Sequence, residues 1–123
     1  MTRYNKNLGD KGERVAALYL RVFGYKILET NYRRGHGEVD IIAKRGKIVA
    51  FVEVKTRTSD EYGLPSESVA YTKQKRIISA ARCYISKVPD MDYRFDVIEV
   101  YGKTNGKRSL IKRINHIKDA FHL

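Results

Sequence analysis

The spacing of apolar residues switches between a period near 3.6 and a period of two, and each switch marks a new element. Ala16, Leu20 and Phe23 recur at helical spacing in a segment that Asp10 opens, that runs to about Phe23 and that Gly24 ends. A strand is predicted around Tyr25–Asn31, followed by a basic, glycine-containing loop over Arg33–Gly37. Two runs rich in β-branched residues, Glu38–Lys44 and Lys47–Arg57, flank Arg45-Gly46 and read as a hairpin. Residues 58–70 carry Ser, Asp, Gly and Pro and read as a loop. Thr72 is placed as the cap of a second helix reaching about Lys87, where Val88-Pro89-Asp90 breaks it. Tyr93–Tyr101 is a strand, Gly102–Gly106 a turn and Leu110–Ile114 a final strand, with a short helical tail. The order α-β-β-β-α-β-β implies an α/β fold in which helices cover a mixed sheet.

The hairpin carries the candidate chemistry. With Arg45-Gly46 as a two-residue loop, Asp40 faces Phe51 and Glu38 faces Glu53. Side chains alternate between faces. One face then holds Glu38, Asp40 and Ile42 with Val49, Phe51, Glu53 and Lys55. The other holds Val39, Ile41, Ala43, Ile48, Ala50, Val52 and Val54, all apolar and therefore buried. Three carboxylates and a lysine converge at the open end of the first face. Like charges opposed across a sheet destabilise by up to roughly 1 kcal/mol, and a divalent cation would turn that repulsion into attraction. Mg²⁺ usually takes one or two protein carboxylates. Asp40 and Glu53, diagonal neighbours in this register, fit that demand. Lys55 points the same way, to hold a phosphate or orient an attacking water. The competing reading is an ordinary exposed sheet end with a Glu–Lys pair. A loop one residue longer or shorter would put Asp40 and Glu53 on opposite faces.

Composition narrows the class of partner. The 123 residues include 25 Lys+Arg against 14 Asp+Glu, a net charge of +11. Such an excess favours polyanions through counterion release, and also suits a solubility surface or a ribosome-bound protein. Five basic residues and no acid lie between Tyr71 and Lys87, Lys73 and Lys75 among them, and six between Gly102 and Lys118. Each cluster is a phosphate-tracking surface or a solvated face. Cys83 is the single cysteine, so an internal disulfide and a CxxC zinc site are excluded. The first residues have no apolar signal core and no stretch reaches membrane-spanning length. A cytoplasmic protein of one domain, residues 1–123, without membrane contact is expected.

Other residues have two readings each. Glu13 is a capping-box partner of Asp10, or a carboxylate at the margin of the buried helical stripe that completes a metal site. Gln74, on a face with Ile78, Ala81 and Ile85, satisfies a backbone carbonyl or reaches an active-site water or phosphate. Arg33, Arg34 and His36 precede the hairpin and are candidates to grip phosphates. The three histidines show no ligand spacing. No P-loop, GxSxG elbow or Cys–His arrangement occurs, which argues against P-loop nucleotide hydrolysis and acyl transfer.

Taken together, Lys11-Gly12-Glu13, Gly37-Glu38-Val39-Asp40, Phe51 through Arg57, Lys73-Gln74-Lys75 and Arg94-Phe95-Asp96-Val97 resemble the YraN family of uncharacterised bacterial proteins. The resemblance spans roughly Asn7 to Val100. That family is similar to archaeal Holliday junction resolvases within the PD-(D/E)xK nuclease superfamily. The resemblance implies a restriction-endonuclease-like αβββαβ core, Mg²⁺- or Mn²⁺-dependent phosphodiester hydrolysis, and often a homodimer. It also implies metal binding by Asp40, Glu53 and the Val54 carbonyl, with Lys55 catalytic and Glu13 the helix-borne acid. Gln74 is then the polar residue of the second helix, and Arg57 joins Arg33, Arg34, His36, Lys73 and Lys75 as a nucleic-acid-binding candidate. Val39 stands where the motif's name has proline. The leading expectation is a metal-dependent endonuclease on DNA, branched or damaged, with DNA favoured over RNA. The alternatives are a non-catalytic nucleic-acid-binding module and a ribosome or complex accessory protein on the same fold.

Overall fold

A computed structural model describes residues 3–58, 69–105 and 108–122. The elements are α1 (Arg3–Val22), β1 (Lys26–Arg34), β2 (Gly37–Arg45), β3 (Ile48–Thr58), α2 (Tyr71–Ile85), β4 (Asp92–Asn105) and β5 (Arg108–Phe121). They form one five-stranded sheet in the order β1-β2-β3-β4-β5. Only β3 and β4 are parallel, and α2 lies between them in sequence, as a parallel crossover requires. The order α1-β1-β2-β3-α2-β4 in a mixed sheet is the restriction-endonuclease-like core expected. Most of residues 58–70, the predicted loop, lies outside the described residues. Among the described residues no helix is long and apolar enough to cross a membrane.

The sheet is buried on both faces. Ala16 and Leu20 of α1 pack on Ile41, Ala50, Val52, Ile98 and Val100. Ile77, Ala80 and Ala81 of α2 pack on Val39, Ile42, Phe51, Phe95 and Val97. Two glycines set how closely the helices dock. A Cβ on Gly12 would collide with Thr56 Oγ1, so its absence lets α1 lie against β3. A Cβ on Gly37 would sit 2.5 Å from Arg76 O and Ala80 N, so the β1–β2 hairpin touches the backbone of α2.

Several boundaries differ from the sequence reading. α1 begins by Arg3, not Asp10, so Asp10 is inside the helix and Glu13 has no capping-box role. Its C-terminal end does close on glycine. Gly24 (φ 88°) donates to Arg21 O and Tyr25 to Leu20 O, a Schellman closure. Arg33 and Arg34 end β1, leaving Gly35 and His36 as a tight turn in place of the predicted loop. Thr72 does not cap α2; the N-cap is Ala70, without a side-chain bond. β4 continues through the predicted turn to Asn105, and β5 runs to Phe121 where a helical tail was expected. The tail is strand because Phe121 stacks on Phe95 (centroids 5.0 Å) and because His116 and the Asp119 N–H bond buried Asp96.

Candidate metal centre

The β2–β3 turn is Gly46-Lys47, with Arg45 opposite Ile48, Ile42 opposite Phe51 and Ile41 opposite Val52. The pairing is two residues away from the expected register. A shift of two preserves faces, so Asp40 and Glu53 stay together and become direct rather than diagonal neighbours. The ladder stops at Ile41–Val52. Beyond it the Val54 N–H donates to Asp40 Oδ2 at 2.8 Å, a side-chain bond where a strand partner would otherwise be.

The alternation of faces also fails at this point. Val39 packs with Ile42 and Phe51 on the α2 face, whereas Ile41 packs on the α1 face. The cause is on β1. Thr30 pairs with Ile41 and Tyr32 with Val39, so Asn31 sits opposite Asp40, and Asn31 adopts φ 50°. Asn tolerates this left-handed conformation better than most residues. The irregularity leaves Asp40 at the margin between the faces, lining a cleft with Glu13 of α1.

Glu53 is 7 % exposed, and among the described residues no hydrogen-bond partner reaches its Oε1. Burial, followed by the charge and hydrogen bond of Asp40, pushes its carboxyl up to about 8, against the pull of Lys73 and Lys55. Glu13 is raised by burial and then by Asp40 and Asp10. Lys73, from the first turn of α2, places Nζ 2.7 Å from Glu38 Oε1 and 3.7 Å from Glu53 Oε2. That hydrogen bond holds the Glu38 carboxyl below the usual range. Burial opposes the charge on Lys73, but its acidic neighbours raise it overall.

Two carboxylates this close cannot both ionise cheaply without a cation. Among the described residues no group of three or more His, Cys, Asp or Glu could hold a metal ion, so a closed zinc-type cage is absent there. A pair of carboxylates, one with an orphaned buried oxygen, suits a hard cation that keeps most of its waters, such as Mg²⁺ or Mn²⁺. Asp40 and Glu53 would hold it, with the Val54 backbone drawn in beside Asp40.

The other candidates divide. Lys55 is half-buried and its charge acts on Glu53. Arg57 is turned inward: its Nε lies 3.3 Å from Oε2 of Glu99, which is fully buried and also accepts from Asn115. The Gln74 side-chain amide donates to the Val69 carbonyl at 2.8 Å, the backbone alternative of its two readings. With Tyr71, Lys75 and His122 it lines a separate cleft, and Lys75 lies over the Tyr71 ring. Arg33, His36, Glu38 and Arg76 line an open cleft at the β1–β2 turn, while Arg34 stacks on Tyr32. The sequence reading makes Lys73 a nucleic-acid-binding candidate and misses its acidic partners Glu38 and Glu53, which lie on strands far back in the chain. Arg14 and Arg21 are exposed on α1 and line the Asp40–Glu13 cleft. Their i, i+7 spacing with Ala17 between was the available signal.

The model of the uncharacterised protein family UPF0102 matches residues 12–100. A UPF0102 protein of Clostridioides difficile is 51 % identical over 119 residues, covering 95 % of this chain and 98 % of that one. One from Alkaliphilus metalliredigens is 48 % identical over 119 residues, covering 95 % and 99 %. One from Geobacter metallireducens is 46 % identical over 125 residues, covering 100 % and 98 %. The matched span contains Gly12, Asp40, Glu53 and Asp96, so the family's extent coincides with the elements that build the carboxylate pair, and the chain belongs to UPF0102, the YraN family.

Proposed function

We propose that the protein is a Mg²⁺- or Mn²⁺-dependent endonuclease that hydrolyses phosphodiester bonds in DNA, with branched or damaged DNA as the favoured substrate. One observation carries the reading: the buried Glu53 carboxylate, with an orphaned oxygen, beside Asp40 at the frayed end of the β2–β3 ladder. A divalent cation bound there supplies charge stabilisation to the phosphoryl group and lowers the pKa of water. Asp40 is pre-oriented by the Val54 N–H. Lys55 binds the phosphate or orients the attacking water. Glu13 approaches the same carboxylate from α1 and, with its raised pKa, can accept or hold a proton there. The excess of basic residues draws the polyanion in.

The test is incubation with duplex, single-stranded and four-way-junction DNA in Mg²⁺ or Mn²⁺. Cleavage is expected, and Asp40→Ala or Glu53→Ala should reduce it by at least about 100-fold, the scale on which one electrostatic contributor to a transition state acts. Undiminished cleavage by either variant removes the active-site assignment.

A specific contact favours a second reading. The Lys73 ammonium already lies between Glu38 and Glu53. On this reading the lysine permanently takes the cation's place and the protein binds nucleic acid without cutting it. Salt-sensitive binding with no product, unchanged in Glu53→Ala, is its signature.

A further inference from the structure

α1 packs mainly over β3 and β4, and a cleft of about 510 Å³ remains between it and the β1–β2 hairpin. That volume is within the roughly 300–1,000 Å³ of small-ligand sites. One wall is α1, where Asp10 and Glu13 are three residues apart, and Arg14, Ala17 and Arg21 follow at spacings of three and four. The other wall is Thr30 and Asn31 of β1 with Asp40 and Ile41 of β2. Charge is ordered along this cleft. The acids Asp10, Glu13 and Asp40 gather at one end, where a phosphate can enter only with a cation. Arg14 and Arg21 continue away from them, about 10 Å apart at 1.5 Å per residue, and both are exposed. Between the charges, Ala17 and Ile41 form an apolar floor, and Thr30 and the amide of Asn31 offer both donors and acceptors.

These features match the parts of a nucleotide in order: an anion for the guanidiniums, a flat apolar face for Ala17 and Ile41, and a hydrogen-bonding edge for Thr30 and Asn31. We propose that this cleft is a nucleotide subsite, holding one nucleotide unit of the strand whose phosphodiester lies at the Asp40–Glu53 pair. The proposal rests on the nuclease reading only for that placement. The irregularity at Asn31 then has two consequences. It leaves Asp40 facing the cleft, and it puts the Asn31 amide at the cleft's edge.

Binding of a short fluorescent oligothymidylate, measured by anisotropy in EDTA, reads the cleft without reading cleavage. Arg14→Gln/Arg21→Gln should weaken binding tenfold or more and lower the salt slope by about 1.4, two single-strand phosphate contacts at roughly 0.7 each. Lys44→Gln/Lys47→Gln removes the same charge at the exposed β2–β3 end and should weaken binding less than twofold. Photocrosslinks from a 5-iodouracil strand should map to α1 and to Thr30-Asn31. Equal weakening by both double variants, or crosslinks confined to Arg33–His36, overturns the subsite. Binding of free thymidine 5′-monophosphate with no binding of the strand overturns its assignment to a polymer. Wild-type binding with the expected pattern but no hydrolysis in Mn²⁺ upholds the cleft and removes the nuclease. Normal hydrolysis by Arg14→Gln/Arg21→Gln at low substrate removes the cleft and keeps the nuclease.

Discussion

Of the three acids buried among the described residues, Asp96 and Glu53 have opposite surroundings. Asp96 is fully buried on the α1 face of β4, and its carboxylate is saturated. Arg94 donates to both of its oxygens at 2.8 Å, His116 Nε2 lies 2.8 Å from Oδ2, and the Asp119 N–H reaches Oδ1 at 3.1 Å. Burial pushes this carboxyl up, but the bonds from His116, Arg94 and Asp119 bring it below the usual range. Glu53, on the α2 face of β3, has an oxygen with no partner among the described residues, and burial and Asp40 push it up to about 8. The first acid is finished by the fold and fastens β5 to β4. The second is left incomplete, and an incomplete buried carboxylate is one that a ligand can complete.

The largest effect that can break this comparison is on stability. Asp96→Ala leaves the partly buried Arg94 and the His116 side chain without their anion, and should cost roughly 3–5 kcal/mol in urea unfolding. A loss below about 1 kcal/mol would mean that the saturated acid is dispensable. In the wild type its contribution is present above the ordinary carboxyl range and disappears as pH falls through its lowered pKa.

Glu53 has the opposite sign. Its folded-state pKa of about 8 lies above the ordinary 4.5, so between those values the native state keeps a proton that the unfolded chain has released. Stability without metal therefore falls as pH rises through that window, by at most about 1.4 kcal/mol per pH unit. Glu53→Gln should flatten the profile and, near pH 8, be more stable than the parent by roughly 1–3 kcal/mol. Mn²⁺ should offset the loss at high pH, because it replaces the proton, and do little near pH 5. Denaturant melts across pH with EDTA or Mn²⁺ check both. A parent profile that rises toward pH 8 in EDTA would show that Glu53 is satisfied after all.

The same contrast marks what was legible in the sequence. Alternation and β-branching located β2 and β3, and the even period of a strand kept the faces of Ile41–Arg45 against Ile48–Val52 through a two-residue register error, with Asp40 meeting Glu53 just past the ladder's end. Helical spacing found Ala16 and Leu20 of the buried stripe of α1, whereas Phe23, expected to continue it, lies past the helix end and is exposed. The residues that were misread depend on partners distant in sequence. The role of Asp96 needs His116 and Asp119, which made the C-terminal tail a strand although its local composition allowed a helix. Lys73 needs Glu38 and Glu53. The turn of Asp40 toward α1 needs one backbone angle at Asn31, and a φ of 50° leaves no mark on hydrophobic pattern. Gly12 and Gly37 are visible as motif positions, but their reason, close approach to the Thr56 side chain of β3 and to the backbone of α2, is tertiary.

The smallest prediction tests adjacent residues of α2. Lys73 and Gln74 occupy the same turn, yet Lys73 reaches the acids and Gln74 reaches back to Val69. That bond holds the segment entering a helix whose N-cap has no side-chain partner. Gln74→Ala removes one neutral hydrogen bond at a half-buried site and should cost about 0.5–1.5 kcal/mol in unfolding. It should leave DNA cleavage and the pH profile of stability unchanged. Lys73→Met should instead alter the profile, because Glu53 loses a cation that pulls its pKa down. If Gln74→Ala abolished cleavage at unchanged stability, the amide would have to leave Val69 during turnover, and the boundary between scaffold and site would run through a different side of α2.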